Sequence, residues 1–196
     1  MSAFSQLCLF CHSLHGSELG LCDGCLSDLP FQHQEHSPQR GLLSLNDHIC
    51  GACIASPPDF DRTIAAFRYE YPASQLLQHY KYHQNLTLAD TFASILLKRL
   101  NSNKPDLIIP MPLHPQRLKE RGFNQSLEIG RLLAKRLGVP IDFECNRRLD
   151  GMGVTLIDDV MTTGASLNAL AKAVKAQGAS HVECWVIART HPMSYV

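Results

Sequence analysis

The chain has 196 residues, 45% of them hydrophobic, and a formal net charge of zero. That is enough apolar material for one ordinary domain plus a small module, and it excludes a disordered or fibrous chain. No apolar run approaches the ~20 residues that span a bilayer, and the first residues lack a cationic stretch followed by an apolar one, so the expectation is a cytoplasmic protein without membrane insertion.

The neutral total hides an asymmetry. Residues 1–60 carry six acids against one base, Arg40, which leaves 17 bases and 12 acids in the remainder. That surplus is too small to attract nucleic acid unless a local patch concentrates it. One lies at residues 114–136, where Arg117, Lys119, Arg121, Arg131, Lys135 and Arg136 outnumber Glu120 and Glu128. The plain alternative is a solvated helix face beside a basic loop.

Cysteine, histidine and loop residues crowd the first sixty positions. Cys8-x-x-Cys11 and Cys22-x-x-Cys25 stand ten residues apart, a spacing that points to a structural zinc held by Cys8, Cys11, Cys22 and Cys25. Four thiolates close a tetrahedral shell, so such a site staples a fold and offers no position for chemistry. Cys50-x-x-Cys53 is less clear; His33, His36 or His48 could complete a mixed site with it, although loop histidines near cysteines are more often bystanders. Regular apolar periodicity begins only after Pro57-Pro58, which divides the chain into a cysteine-rich module at 1–58 and a domain at 59–196.

Residues 64–67 suit a short strand, ended by Tyr71-Pro72. Helices follow at 73–83 and 88–100, the second repeating Phe92, Ile95, Leu96 and Leu100 on one face. Residues 106–110 read as a buried strand, because the run Leu107, Ile108, Ile109 is bounded by prolines and too short for a stable helix. A proline-rich basic loop is expected at 111–124. A helix is expected at 124–137, with Leu127, Leu132, Leu133 and Leu137 apolar and Gly138 as its stop. Residues 154–157 form the next apolar run, Leu167, Leu170, Ala171 and Val174 continue at helical spacing to Gly178, and 182–188 close with a strand. Strands alternating with helices predict an α/β fold with a mainly parallel sheet.

The segment 154–167, VTLIDDVMTTGASL, carries the chemistry. In an open α/β sheet a ligand sits beyond the carboxyl ends of the strands, where a loop turns into a helix and presents unpaired backbone N–H groups. Asp158 and Asp159 end the strand and can accept hydrogen bonds from two vicinal hydroxyls of a sugar. Thr162, Thr163, Gly164, Ala165 and Ser166 supply hydroxyls, a glycine for tight geometry and a helix N-terminus whose partial positive charge favours a monophosphate. Acids for hydroxyls and a turn for phosphate describe a ribose 5-phosphate. Neither G-x-x-x-x-G-K-[ST] nor G-x-G-x-x-G occurs. The bland alternative is a strand-turn-helix whose acids only cap the helix.

Residues 156–166, LIDDVMTTGAS, resemble the phosphoribosyl pyrophosphate motif of type I phosphoribosyltransferases. With RGFNQS at 121–126, PMPLHPQRLK at 110–119 and the cysteine pairs, the chain resembles the ComF family, linked to DNA uptake in natural transformation. The resemblance implies a phosphoribosyltransferase-like parallel sheet flanked by helices, with a small N-terminal zinc-ribbon-like module. It implies that residues 111–124 reach the same crevice, with Arg117, Lys119 and Arg121 as candidates for the pyrophosphate group; arginine offers a bidentate fork and lysine a point charge. Magnesium is expected with the ligand, held mainly by the ligand's own oxygens. Catalysis would be attack at ribose C1 with loss of pyrophosphate, Asp158 and Asp159 orienting the hydroxyls.

Two departures from the family pattern matter. The Cys-Pro-x-Cys-Gly of many relatives is replaced by Ser37-Pro-Gln-Arg-Gly41, which argues against a second four-cysteine site. Only residues 139–153 separate the RGFNQ helix from the Asp-Asp strand, where phosphoribosyltransferases carry a longer loop that closes over the reacting centre. Arg147 and Arg148 are the only charged residues there that could substitute. Two expectations stand: a transferase with an unidentified acceptor, or a zinc-stapled module that senses phosphoribosyl pyrophosphate or handles single-stranded DNA alongside competence proteins.

Overall fold

Four strands form one parallel sheet: β1 (Arg62–Arg68), β2 (Leu107–Pro110), β3 (Gly153–Met161) and β4 (His181–Arg189), in the spatial order β1-β4-β3-β2. The computed structural model describes residues 6–32, 37–42, 51–82, 86–100, 104–143 and 148–191. Cys50, Cys145, Arg147 and the three histidines at 33, 36 and 48 lie outside the described residues.

The expected strands are present and longer than their apolar runs. Polar residues at their ends, such as Arg62, Thr63 and Arg68, join the ladder because backbone pairing does not depend on side-chain polarity. Alternation assigns side chains to two cores. Ile108, Ile157, Trp185 and Ile187 face one side, with helices α3 (Ala73–Tyr82), α4 (Leu86–Leu97) and α6 (Gln125–Leu137). Ile109, Leu156, Cys184 and Val186 face the other, covered by α7 (Ala165–Ala176). Buried on both faces, the strands read as near-continuous apolar runs.

The chain therefore leaves β2 toward one face of the sheet and β3 toward the other. Two neighbouring strands whose exits diverge open a crevice beyond their carboxyl ends, which is where ligands bind in such sheets. The loops at 111–114 and 162–164 flank it.

One sequence expectation is corrected here. Residues 111–124 are not wholly loop: Pro115–Arg121 form helix α5. Pro115 sits at the first helical position, where its missing N–H costs nothing; the His114 ring accepts from Gln116 N–H at 3.3 Å; and Gly122 ends the helix in the left-handed region at φ 77°. No residue of α5 is buried, so it lacks the apolar stripe that makes a helix legible.

The described residues of the short segment at 139–153 bridge the β2 edge and then turn back into β3. Ile141 makes a single parallel bridge to Ile108 on the outer edge of β2, with Asp142 N–H donating to Ile108 O at 3.0 Å. Leu149 and Gly151 then pack against residues 177 and 178, at the amino end of β3 and away from the crevice. Arg148 stays there too. Its guanidinium forks onto Asp150 at 2.8 and 3.0 Å, so it does not substitute for a loop over the site.

The cysteine-rich segment packs on the first core. Cys8, Leu21 and Leu29 are buried in the same cluster as α3 and α4, and the Thr91 hydroxyl donates to Leu19 O at 2.7 Å. Among the described residues no helix is long and apolar enough to cross a membrane.

Candidate functional site

The crevice is a cleft of about 640 Å³. Asp158, Asp159 and Ser126 form its floor, Arg117 and Arg121 its basic wall, and Lys81, Tyr69 and His114 its rim. A second concavity of about 40 Å³ opens beside it, lined by residues 160–167 together with Asp158. The two share Asp158, Val160, Thr162 and Ser166, so they form one continuous surface.

The floor is fixed by the first turn of α6. Asn124 caps that helix, its Oδ1 accepting from Leu127 N–H at 3.2 Å while its Nδ2 donates to Met111 O at 3.0 Å. Ser126 follows two residues on and donates its hydroxyl to Asp158 Oδ1 at 2.9 Å. The same oxygen accepts from Asp159 N–H at 2.9 Å. Burial, and then the charge of Asp159, push the Asp158 carboxyl up to about 7; its hydrogen bonds and Lys81 act in the opposite direction.

Asp159 is 8% exposed and pairs with Lys81, Nζ to Oδ2 at 3.0 Å. Lys81 is held by its neighbour. Tyr80 is fully buried against Phe92 and Phe123, and its hydroxyl donates to Gln125 O at 2.9 Å, which pins the end of α3 to the start of α6. Arg121 donates to Gln125 Oε1 at 3.0 Å and lies 5.9 Å from the centroid of the Tyr82 ring. Helices α3 and α5 thus bring cations to one cleft, and both are tied to the buried Gln125 at the start of α6.

The small concavity is built by a turn that favours glycine. Gly164 caps α7 at φ 82°, and a Cβ there would meet Met161 Cε at 2.6 Å. No side chain caps the helix from Gly164, and Thr163 Oγ1 accepts from Ala165 N–H at 3.3 Å. Thr162 and Ser166 present hydroxyls to both cavities. Beneath the turn, buried Arg189 donates to the carbonyls of Met161 and Thr162 and to Arg40 O. A buried guanidinium must find acceptors, and here these hold the turn in place.

Of the residues singled out in the sequence, Asp158, Asp159, Thr162, Ser166, Arg117 and Arg121 converge on the main cleft, and Thr163, Gly164 and Ala165 on the adjoining concavity. Lys119 is exposed and does not line either. Residues 117 and 121 share a helix face, and 119 points away from it. Lys81, Tyr69 and Arg189 received no role in the sequence reading, and Ser126 entered it only as the last residue of RGFNQS. Arg189 left a trace, an arginine closing the apolar run 184–188; Lys81 and Tyr69 left none.

The cysteines behave as a unit. The sulfurs of Cys8, Cys11, Cys22 and Cys25 lie within 4.8 Å of one another, with Cys11 and Cys22 at 3.6 Å. Tetrahedral zinc with Zn–S of about 2.3 Å sets its sulfurs about 3.8 Å apart, so the donors fit. Cys22 N–H donates to Cys8 Sγ at 3.3 Å and Cys25 N–H to Cys22 Sγ at 3.5 Å, bonds that stabilise thiolate. The set fits a zinc-binding module.

No family model matches the chain. It is 27% identical to Competence protein F of Haemophilus influenzae, the alignment covering 96% of this chain and 99% of that protein. Identity is 26% to DNA utilization protein YhgH of Escherichia coli K12, over 94% of this chain and 97% of that one. It is 29% to Competence protein ComFC of Streptococcus pneumoniae, over 95% and 93%. Over nearly its whole length the chain is thus similar to these competence and DNA-utilization proteins. The alignment with Competence protein F runs to 229 positions, more than the 196 residues here, so the ComF relative from Haemophilus carries residues that this one lacks. Among solved structures, a purine phosphoribosyltransferase from Pyrococcus horikoshii aligns with TM-score 0.40 and 20% identity, covering 55% of this chain and 89% of that one.

Proposed function

We propose that the chain binds 5-phosphoribosyl 1-pyrophosphate in this cleft and serves a ComF-type role in DNA uptake. One observation carries the reading: a carboxylate pair, a glycine turn at a helix N-terminus and a two-arginine wall share one continuous surface. The turn at 162–166 would take the 5-phosphate, Asp158 and Asp159 the ribose hydroxyls, and Arg117 and Arg121 the pyrophosphate. Magnesium would come with the ligand, held by the ligand's oxygens and within reach of the two carboxylates. The names of the ComF and YhgH relatives support the role in competence and DNA utilization, with single-stranded DNA or competence proteins as partners. The four cysteines would hold a structural zinc.

The test is ligand-induced stabilisation. With magnesium, phosphoribosyl pyrophosphate should raise the melting temperature in a concentration-dependent way, and ribose alone should not. No shift at millimolar ligand would remove the proposal.

A second reading, recognition without turnover, is favoured by the segment at 139–153, whose described parts run along the β2 edge and the amino end of β3 rather than over the cleft. Among the described residues of that segment, none would exclude water from the reacting centre. Pyrophosphate release in the presence of bases or amines separates the two, since binding without release supports the sensor.

A further inference from the structure

Among the described residues, Lys81 is the cleft cation seen paired with the floor, and that pairing has a consequence for which ligands can enter. Its ammonium and the Asp159 carboxylate are paired at 3.0 Å, with side chains only 17% and 11% exposed. The ammonium holds Oδ2 of that carboxylate, so a sugar hydroxyl that takes this oxygen must displace it. A largely desolvated ammonium that loses its partner carries a heavy penalty unless another anion replaces it.

We infer that Lys81 is a specificity-determining residue of the cleft, exchanging Asp159 for the anionic group at C1 of the sugar as the hydroxyls take its place. The inference rests on the proposed reading of the cleft as a phosphoribosyl pyrophosphate site. The exchange leaves both buried charges paired when the ligand brings a diol and a second anion, and leaves the ammonium unpaired when it brings the diol and 5-phosphate alone. Lys81 lines the same cleft as Arg117 and Arg121, so the anion it would accept is the one that their wall faces. Its backbone does not need to move: Tyr80 anchors α3, and four flexible side-chain carbons let the ammonium swing between partners. A purely structural salt bridge would instead stay closed and be indifferent to what sits at C1.

The experiment compares two ligands on two proteins. Dissociation constants for phosphoribosyl pyrophosphate and for ribose 5-phosphate, both with magnesium, are measured by equilibrium dialysis for the wild type and for Lys81→Met. The expected result is a loss of roughly 10- to 100-fold for phosphoribosyl pyrophosphate, the worth of one charged hydrogen bond, with ribose 5-phosphate unchanged or tighter. Equal losses for both ligands, or no loss for either, would overturn the role. If Lys81→Met does not fold, Lys81→Arg and the Lys81→Met, Asp159→Asn double variant replace it. The arginine should keep the preference for phosphoribosyl pyrophosphate and the double variant should lose it; the reverse pattern overturns the role. Wild-type protein that binds neither ligand would instead remove the reading of the cleft itself, a distinct result.

Discussion

At the scale of single residues, the two aspartates have unequal tasks. Lys81 supports the charge on Asp159, while Asp158, with its carboxyl near 7, divides between acid and carboxylate at neutral pH. The folded-state value lies above the usual carboxylate range, so the folded protein holds more protons than the unfolded chain between about pH 4 and 7, and this group's contribution to stability falls as pH rises through that window. Asp158→Asn removes the penalty. It should raise the melting temperature at pH 8 by several °C, equivalent to about 2–4 kcal/mol, and change little below pH 4. Thermal denaturation of both proteins across pH checks this; a variant that melts lower at pH 8 would contradict it. Ligand binding has the opposite sign. Hydroxyls donate to the carboxylate form, so affinity should increase from pH 6 to pH 8 and then level off.

The legibility of the site also divides at this scale. Asp158, Asp159 and the glycine turn announce themselves because strand, acids and turn are adjacent in sequence. Lys81 and Ser126 do not, because each meets an aspartate only after α3 and α6 have packed, and a single lysine at a helix end looks like a solvated surface charge.

At the scale of elements, two turns hold the cleft in register. Gly164→Ala places a side chain at φ 82° against Met161, which should cost at least about 1 kcal/mol and weaken binding of the 5-phosphate more than that of inorganic pyrophosphate. Chemical denaturation and binding of the two ligands test the two halves of that statement. Asn124→Ala removes both the cap of α6 and the tie to Met111 O, a loss of about 1–2 kcal/mol. It should also loosen α5, so that ligand affinity falls although the proposed reading assigns no phosphate to Asn124; unchanged affinity would show that the cap does not position the wall.

Elements with an apolar stripe or run were legible from the chain, α6 with its Gly138 stop above all. Helix α5 was not. Its only apolar side chain after Pro115 is Leu118, 43% exposed, and its helicity comes from an N-terminal proline and a glycine cap at the ends of a stretch rich in charge.

At the scale of the whole molecule, the cysteine cluster and the sheet share a core, since Cys8, Leu21 and Leu29 bury against the layer that also contains Tyr80. A metal lost from the four cysteines should therefore be felt at the cleft. Elemental analysis is expected to give one zinc per chain, and a chelator to lower the melting temperature on the order of 10 °C and weaken ligand binding with it. Retained stability in metal-free protein would make the cluster an ornament to the fold. The alternation of strands and helices was enough to anticipate the parallel sheet, while the strand order, which opens the crevice between β2 and β3, depends on long-range pairing that no local pattern encodes.

The central claim is that the surface joining Asp158, the Gly164 turn and the arginine wall is a phosphoribosyl pyrophosphate site. Calorimetric titration of the purified protein with that ligand and magnesium, repeated on Asp158→Asn, tests it most directly. One saturable site in the wild type, weakened at least roughly 10-fold in the variant, is the expected result; no heat from the wild type, or equal affinity in both, would contradict it.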